Sequence, residues 1–234
     1  MKKICNSCSP NPGDRWLPHP VPILEDYLFR LLKPLPNLPN TKAIRKNICY
    51  NLQYIQFIVK LQEEMKTTGV ILTLNWKMIT VSGIAIIESI LFYILVSKKL
   101  DKRTEWEDRP ETKIQNEKEI AGQKYKVQIL LFKKIPEGKT NMKFDDMIKI
   151  AMNKKVLGNN NEIYKKLIFL RKLRNKIHIY SVKDHNDTDW YNFNARDIIT
   201  LKKVLRSFLI SSFFSPTNEQ KKLFDFLDTT AKAF

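Results

Sequence analysis

The sequence predicts an all-α fold, a helical bundle, with an irregular proline-rich arm at its N-terminus and a charged insertion. Apolar residues recur at steps of three and four over residues 41–66, 143–154, 162–180 and 194–214, which is the spacing of an amphipathic helix. A fifth stretch, residues 71–100, is apolar on nearly all sides, which is typical of a helix buried inside a bundle. These observations favour helices packed around one another over a sheet.

Composition divides the chain into three parts. Residues 1–40 carry most of the prolines and one short helical pattern, which predicts an arm with a single helix. Residues 41–214 are predicted to form the bundle, interrupted at 101–126 by a charged loop or insertion. Residues 215–234 add a short C-terminal helix. The segment 126–133 fits either a short strand or the start of a helix.

The charge balance indicates a polyanionic partner. Forty-one lysines and arginines stand against 24 acidic residues, which gives a formal charge of +17. Such a field attracts nucleic acid or an anionic membrane surface. An AT-rich genome also produces part of this excess through its lysine codons, so the charge alone does not decide the partner.

Cysteine usage predicts free thiols in a reducing, cytoplasmic setting. The chain has three cysteines, an odd count that argues against a disulfide framework in a protein of this size. Cys5 and Cys8 form half of a zinc site, which His19 and Cys49 would complete, but no second closely spaced pair is present. We therefore expect no metal and no cofactor. The first residues also lack the apolar run of a signal peptide.

Residues 78–97 have the length of a membrane span. They contain one charge, Glu88, which would lie near the bilayer centre at a cost of about 2.5–3.5 kcal/mol. A buried core helix explains the same pattern without that cost, so we favour it over a membrane anchor.

The segment 162–180 carries the candidate functional residues. On an ideal helix its apolar stripe consists of Ile163, Leu167, Leu170, Leu173, Ile177 and Tyr180. A polar stripe formed by Arg171, Arg174, Asn175 and His178 borders it. The spacing of Arg171, Arg174 and His178 brings all three side chains within reach of one small anion.

These residue types suit RNA cleavage through the 2′-hydroxyl. A histidine titrates near neutral pH, so His178 can accept or donate the proton that the reaction moves. Arginines offer permanently charged donors to the phosphate in the transition state. The alternative is a solvated basic face that includes Lys172 and Lys176, with a histidine that interacts favourably with the helix C-terminus.

The segment resembles the Arg/His helix of HEPN domains, helical bundles whose signature is an arginine, four to six residues, and a histidine. Arg171 and His178 fit this spacing with six residues between them, and Arg174-Asn175 resembles the Arg-Asn core of the motif, with three residues before His178. The order of elements is also similar over residues 40–212, with an upstream apolar helix that carries one acid, Glu88.

The resemblance implies an up-and-down bundle that pairs into a homodimer and cuts RNA without a metal. His178 would be the acid/base, and either Arg171 or Arg174 would bind the phosphate, with Asn175 in support. Such proteins commonly act as toxins or in phage defence with a separate antitoxin, often a small nucleotidyltransferase. The alternatives are a non-catalytic HEPN-like module, which binds RNA or a protein through Lys172, Lys176 and the rest of the basic face, and the membrane-anchored protein.

Glu88 suggests one specific contact. A carboxylate on a buried helix requires a cation, and Arg174 lies nearest the apolar face of its own helix. We therefore expect these two residues to pair, which would leave Arg171 freer for phosphate.

Overall fold

A computed structural model describes residues 16–65, 67–108, 114–129, 131–139, 142–178, 184–211 and 215–228. Most of this part of the chain is helical, in agreement with the predicted all-α class. The helices are α1 (Val21–Leu31), α2 (Thr41–Glu64), α3 (Gly69–Ser97), α4 (Phe144–Asn153), α5 (Asn161–Asn175), α6 (Asp189–Asn192), α7 (Ala195–Leu209) and α8 (Asn218–Lys222), followed by a short 3₁₀ helix (Asp225–Leu227). Between α3 and α4 lie four strands, β1 (Arg103–Asp108), β2 (Ile114–Ile120), β3 (Gln123–Ile129) and β4 (Phe132–Lys139).

Helix α3 is the centre of the bundle. It packs against α2, α4, α5, α6 and α7, and most of its residues from Ile79 to Val96 are buried. By length and composition α3 is apolar enough to cross a membrane, but 72% of its most apolar 18-residue stretch is buried inside the protein. The first turns of α3 are less buried than the rest of the helix, because Val70, Ile71 and Leu74 are exposed.

The short helix predicted within the proline-rich arm is α1, and it belongs to the core. Leu24, Tyr27, Leu28 and Leu31 are buried on the face that packs against α2. The Tyr27 hydroxyl donates a hydrogen bond to the carbonyl oxygen of Leu209, which ties α1 to the end of α7. The segment from residue 21 onwards is therefore an integral part of the bundle.

The region expected as a charged loop or insertion, residues 101–126, is largely strand. Strand β2 pairs with β3 and β1 pairs with β4, both antiparallel. The register places Glu107 opposite Lys133, Glu117 opposite Lys126 and Glu119 opposite Lys124. Each such opposite-charge pair stabilises the register by about 0.2–1 kcal/mol.

The turn explains why the sequence pattern was misleading. Ala121 and Gly122 join β2 to β3, and both have positive φ, 51° and 74°. Two consecutive residues with positive φ form a tight hairpin turn, for which Asn-Gly and Asp-Gly are the usual sequences. Alanine is uncommon at the first of these positions, so the sequence did not indicate a hairpin. The segment 126–133, expected as a strand or a helix start, lies in β3 up to Ile129 and in β4 from Phe132 onward.

Gly83 allows a close approach between α3 and α7. A Cβ atom at this position would lie 3.0 Å from the Cδ2 atom of Leu201 and 3.2 Å from its Cδ1 atom. Both residues are buried, so the two helices have little room to separate without exposing the core.

We expect Gly83→Val to lower the free energy of unfolding by about 1–3 kcal/mol, because the added methyl groups overpack this contact. The matched control is Ala85→Val, two residues along the same helix at an exposed position. Urea denaturation of both variants measures the difference. A loss in Gly83→Val no greater than that in the control would contradict a close contact between α3 and α7.

Candidate nucleic-acid interface

The apolar side of α5 lies where the spacing predicts it. Leu167, Leu170 and Leu173 are buried, and Asn160 begins the helix because its side chain accepts a hydrogen bond of 2.9 Å from the backbone N–H of Glu162. The acidic first turn and basic last turn, with Glu162 at one end and Arg174 at the other, complement the helix dipole.

The helix ends earlier than predicted. It was expected to run over 162–180, but its last helical residue is Asn175. The chain then tightens, with the backbone N–H of Lys176 donating to Leu173 and that of Ile177 donating to Arg174. Ile177 and the residues after it are mainly β-branched or aromatic, and such side chains favour a helix weakly. Tyr180 lies outside the described residues.

His178 therefore does not continue the helical stripe. It is exposed and follows the last helical residue by three positions, so the predicted set of Arg171, Arg174 and His178 is not carried by one rigid helix. Asn175 is also exposed, at the end of α5.

Arg174 pairs with Glu88 across the α3–α5 contact, as the sequence predicted. Its Nη2 atom lies 3.3 Å from Oε2 of Glu88, and its Nη1 atom lies 3.5 Å from Oε1. The Glu88 side chain is 21% exposed and that of Arg174 is 42% exposed. The carboxylate is thus mostly buried, while a large part of the guanidinium faces solvent.

Arg171 was expected to be the freer arginine, and this expectation is wrong. Its Nε atom lies 3.3 Å from Oδ1 of Asp145 on α4, an ion pair whose angle falls outside that of a hydrogen bond. The other oxygen of Asp145 lies 2.6 Å from Nζ of Lys149, one turn along α4. Both arginines of the candidate site therefore face a carboxylate from another helix.

The pKa values of the two carboxylates are shifted in opposite directions. Burial raises the pKa of Glu88, and the nearby Arg174 opposes this rise without cancelling it. The hydrogen bond from Lys149 lowers the pKa of the half-buried Asp145, and Arg171 adds to that effect. Asp145 is therefore stabilised as an anion, whereas Glu88 is held in a place that disfavours its charge.

The two lysines of the predicted basic face differ in their surroundings. Lys172 is exposed on α5. Lys176 is also exposed, but its Nζ atom donates to the side chain of Asn192 and lies 3.9 Å from Oδ1 of Asp187. These contacts connect the end of α5 to the segment that contains α6.

Sequence reasoning missed Asp145, Lys77 and Asp189 as members of this region. Asp145 belongs to a helix whose apolar face was recognised, but its polar face was given no role. Lys77, a half-buried residue of α3, lies 2.9 Å from each carboxylate oxygen of Asp189. An unpaired charge at the edge of an apolar helix would have indicated Lys77, but not which acid it contacts.

The cysteines give no metal centre within the described residues. Cys49 lies in the core, where burial raises the pKa of its thiol to about 12. Cys5 and Cys8 lie outside the described residues. No group of three or more His, Cys, Asp or Glu side chains in the described part of the chain is placed to hold a metal ion.

Comparisons of the chain with protein-family models, with characterised proteins and with solved structures found no match.

The opposite pKa shifts predict opposite pH dependences for two variants. Because the pKa of Glu88 is raised in the folded protein, protonation of Glu88 stabilises the fold at pH values below its ordinary pKa of 4.5. This stabilisation is lost as the pH rises through the pKa that Glu88 has in the folded state. The lowered pKa of Asp145 means that its contribution is present above its ordinary pKa of 3.8 and is lost as the pH falls.

We therefore expect Glu88→Gln to become more stable relative to the wild type as the pH rises from about 4 to about 7. Asp145→Asn should become less stable relative to the wild type as the pH rises through the acidic range. The measurement is the free energy of unfolding by urea at several pH values, with each variant as the control for the other. Slopes of the same sign would refute the assigned environments.

Proposed function

We propose that this protein is a HEPN-like RNA-binding protein that cuts RNA by metal-independent chemistry, as a toxin or phage-defence effector. The observation that carries the proposal is that Arg171 and Arg174 lie in the C-terminal part of α5 and that the exposed His178 follows the end of this helix by three residues. The formal charge of +17 supports RNA as the polyanion that this end of the helix binds.

His178 would be the acid/base of the reaction. A proton leaves the 2′-hydroxyl of the RNA, its oxygen bonds to phosphorus, and the bond from phosphorus to the 5′-oxygen breaks as that oxygen takes up a proton. The negative charge that gathers on the phosphate is stabilised by a guanidinium. The products are a 2′,3′-cyclic phosphate and a 5′-hydroxyl.

Glu88 and Asp145 would position the two arginines. A guanidinium has five N–H donors, and the pair of Arg174 with Glu88 involves its two Nη nitrogen atoms. Because Arg174 is 42% exposed, the same side chain can contact Glu88 on one side and a phosphate on the other. Asn175, the next residue, and Lys172 are both exposed at the same end of α5 and add polar and positive side chains there.

The proposal includes a homodimer in the cytoplasm and a separate antitoxin. Exposed apolar residues on the outer sides of two packed helices, α2 and α3, supply a surface for pairing with a second copy. These residues are Tyr50, Tyr54, Phe57, Val70, Ile71, Leu74 and Met78. A membrane span at 78–97 would instead require α3 to leave the core that it occupies.

The second candidate function is a non-catalytic HEPN-like module that binds RNA or a protein. The specific observation in its favour is that Arg171 and Arg174 both face carboxylates while α5 ends before His178. Such an arrangement retains a basic surface but does not hold the three side chains on one helix. The two candidates agree about binding and differ about cleavage.

We expect His178→Ala to abolish cleavage of single-stranded RNA and to leave RNA binding within about twofold of the wild type, because the residue moves a proton. The matched control is His185→Ala, another exposed histidine in the turn that precedes α6. Cleavage is followed by gel electrophoresis of end-labelled RNA. Equal cleavage by His178→Ala and wild type would exclude the catalytic role and leave the binding module.

We also expect Arg171→Gln and Arg174→Gln each to weaken RNA binding on all sequences and to reduce the salt dependence of binding by about one counterion. The control is Arg30→Gln, because Arg30 also pairs with a carboxylate, Asp26, but lies on α1. Affinities measured at several salt concentrations give the slopes. Slopes that do not change in the α5 variants would remove these arginines from the interface.

A further inference from the structure

Helix α6 is fixed to the bundle through its first and last residues. At its first residue, Asp189 makes the ion pair with Lys77 of α3, and Lys77 also lies 5.7 Å from the ring centre of Phe193. At its last residue, the Asn192 side chain accepts a hydrogen bond from Lys176 and donates one of 2.7 Å to Asp187. The short helix is therefore held between α3 and the end of α5.

The two residues between these anchors point outward. Trp190 is 55% exposed and Tyr191 is 66% exposed. Adjacent aromatic side chains that open a helix are expected to enter the core, but here the anchoring residues occupy the inward side. The result is a pair of large flat side chains at the surface, on a turn whose position is fixed by hydrogen bonds and an ion pair.

The two acids nearest this aromatic pair in the sequence, Asp187 and Asp189, are each close to a lysine. Asp189 contacts Lys77, and Asp187 lies near Lys176. At these two positions, a polyanion that approaches Trp190 meets carboxylates whose negative charge is balanced by a lysine. It also meets Lys176, which belongs to the basic end of α5.

The contacts on α3 give the axial separation of the two points at which α6 and Arg174 are held. Lys77 and Glu88 are eleven residues apart, so they lie on the same face of α3, about 16 Å apart along its axis. Asp189 contacts the first and Arg174 contacts the second. A stacked strand with a rise of about 3.4 Å per nucleotide covers the separation of these two anchor points in about five nucleotides.

We propose that Trp190 and Tyr191 form a stacking platform for the unpaired bases of single-stranded RNA, whose backbone runs from α6 to Arg174. Bases in a single strand expose their faces to aromatic side chains, whereas bases in a duplex are stacked on one another. This inference rests on the proposed function and specifies its substrate as single-stranded RNA of about five or more nucleotides.

The test measures binding of the full chain to a 2′-O-methyl oligonucleotide of about eight nucleotides, which cannot be cut through its 2′-oxygen. Trp190→Ala and Tyr191→Ala should each raise the dissociation constant about 5- to 100-fold, the range found for loss of one stacked base. Trp190→Phe should stay within a few-fold of the wild type, because it keeps an aromatic face. A three-nucleotide oligonucleotide should lose most of the difference between Trp190→Ala and wild type.

The matched control is Trp106→Ala. Trp106 lies on β1 and is 53% exposed, so the change removes the same side chain from a similarly exposed position. Its affinity should equal that of the wild type. Thermal unfolding of all variants tests whether the fold is unchanged, which is the expected result for substitutions at exposed positions.

The outcomes separate the platform from the proposed function. Wild-type affinity in Trp190→Ala and Tyr191→Ala, together with weaker binding in Arg174→Gln, overturns the platform alone. Equal affinity of the wild type for a duplex and a single strand also overturns it, as does a change of oligomeric mass in the aromatic variants. Weaker binding in the aromatic variants with full cleavage by His178→Ala supports the platform and removes the catalytic role. Absence of RNA binding by the wild type would overturn both the stacking platform and the proposed function.

Discussion

The arrangement of the helices depends on the burial of α3, a helix of 29 residues that carries only two charges, Lys77 and Glu88. Its apolar surface is stabilised by burial at about 25 cal/mol per Å², so other helices must cover it. The two charges cannot be buried without partners, and each is paired, with Asp189 and Arg174 respectively. Helix α3 therefore fixes both α6 and the end of α5, which are the elements that carry the candidate interface.

The same pairing limits what the arginines can do. An arginine that contacts a carboxylate is well positioned, but part of its charge is already balanced. Arg174 and Arg171 differ in this respect, since Arg174 contacts a carboxylate with a raised pKa and Arg171 contacts one with a lowered pKa. Asp145 shares its charge with Lys149 as well, so the pair around Arg171 lies within a small network rather than an isolated contact.

Side-chain spacing predicted the parts of this protein that depend on periodic burial. The apolar stripe of α5, the buried α3 and the pairing of Glu88 with Arg174 all follow from which positions face inward. The strand pairs β1–β4 and β2–β3 could not be predicted from side-chain spacing, because charged residues that alternate along a strand are also common in loops. Ala121-Gly122 is in addition an unusual turn sequence. The sequence did not predict the end of α5 at Asn175, because the residues that follow disfavour a helix only weakly. Such a weak preference ends a helix when tertiary contacts favour the same end, as the contacts of Lys176 do here.

Under the proposed function, the environment of Glu88 links RNA binding to proton uptake. Its carboxylate is mostly buried, and Arg174 is the cation that opposes the raised pKa. If a phosphate draws the guanidinium away, the pKa of Glu88 must rise further, because the burial that raises it remains and the opposing charge is weaker. A higher pKa favours the protonated form of Glu88, which lacks the charge that would repel the phosphate, whereas Lys149 continues to lower the pKa of Asp145. The two carboxylates therefore respond differently to the same ligand, and the burial of α3 is the cause of that difference.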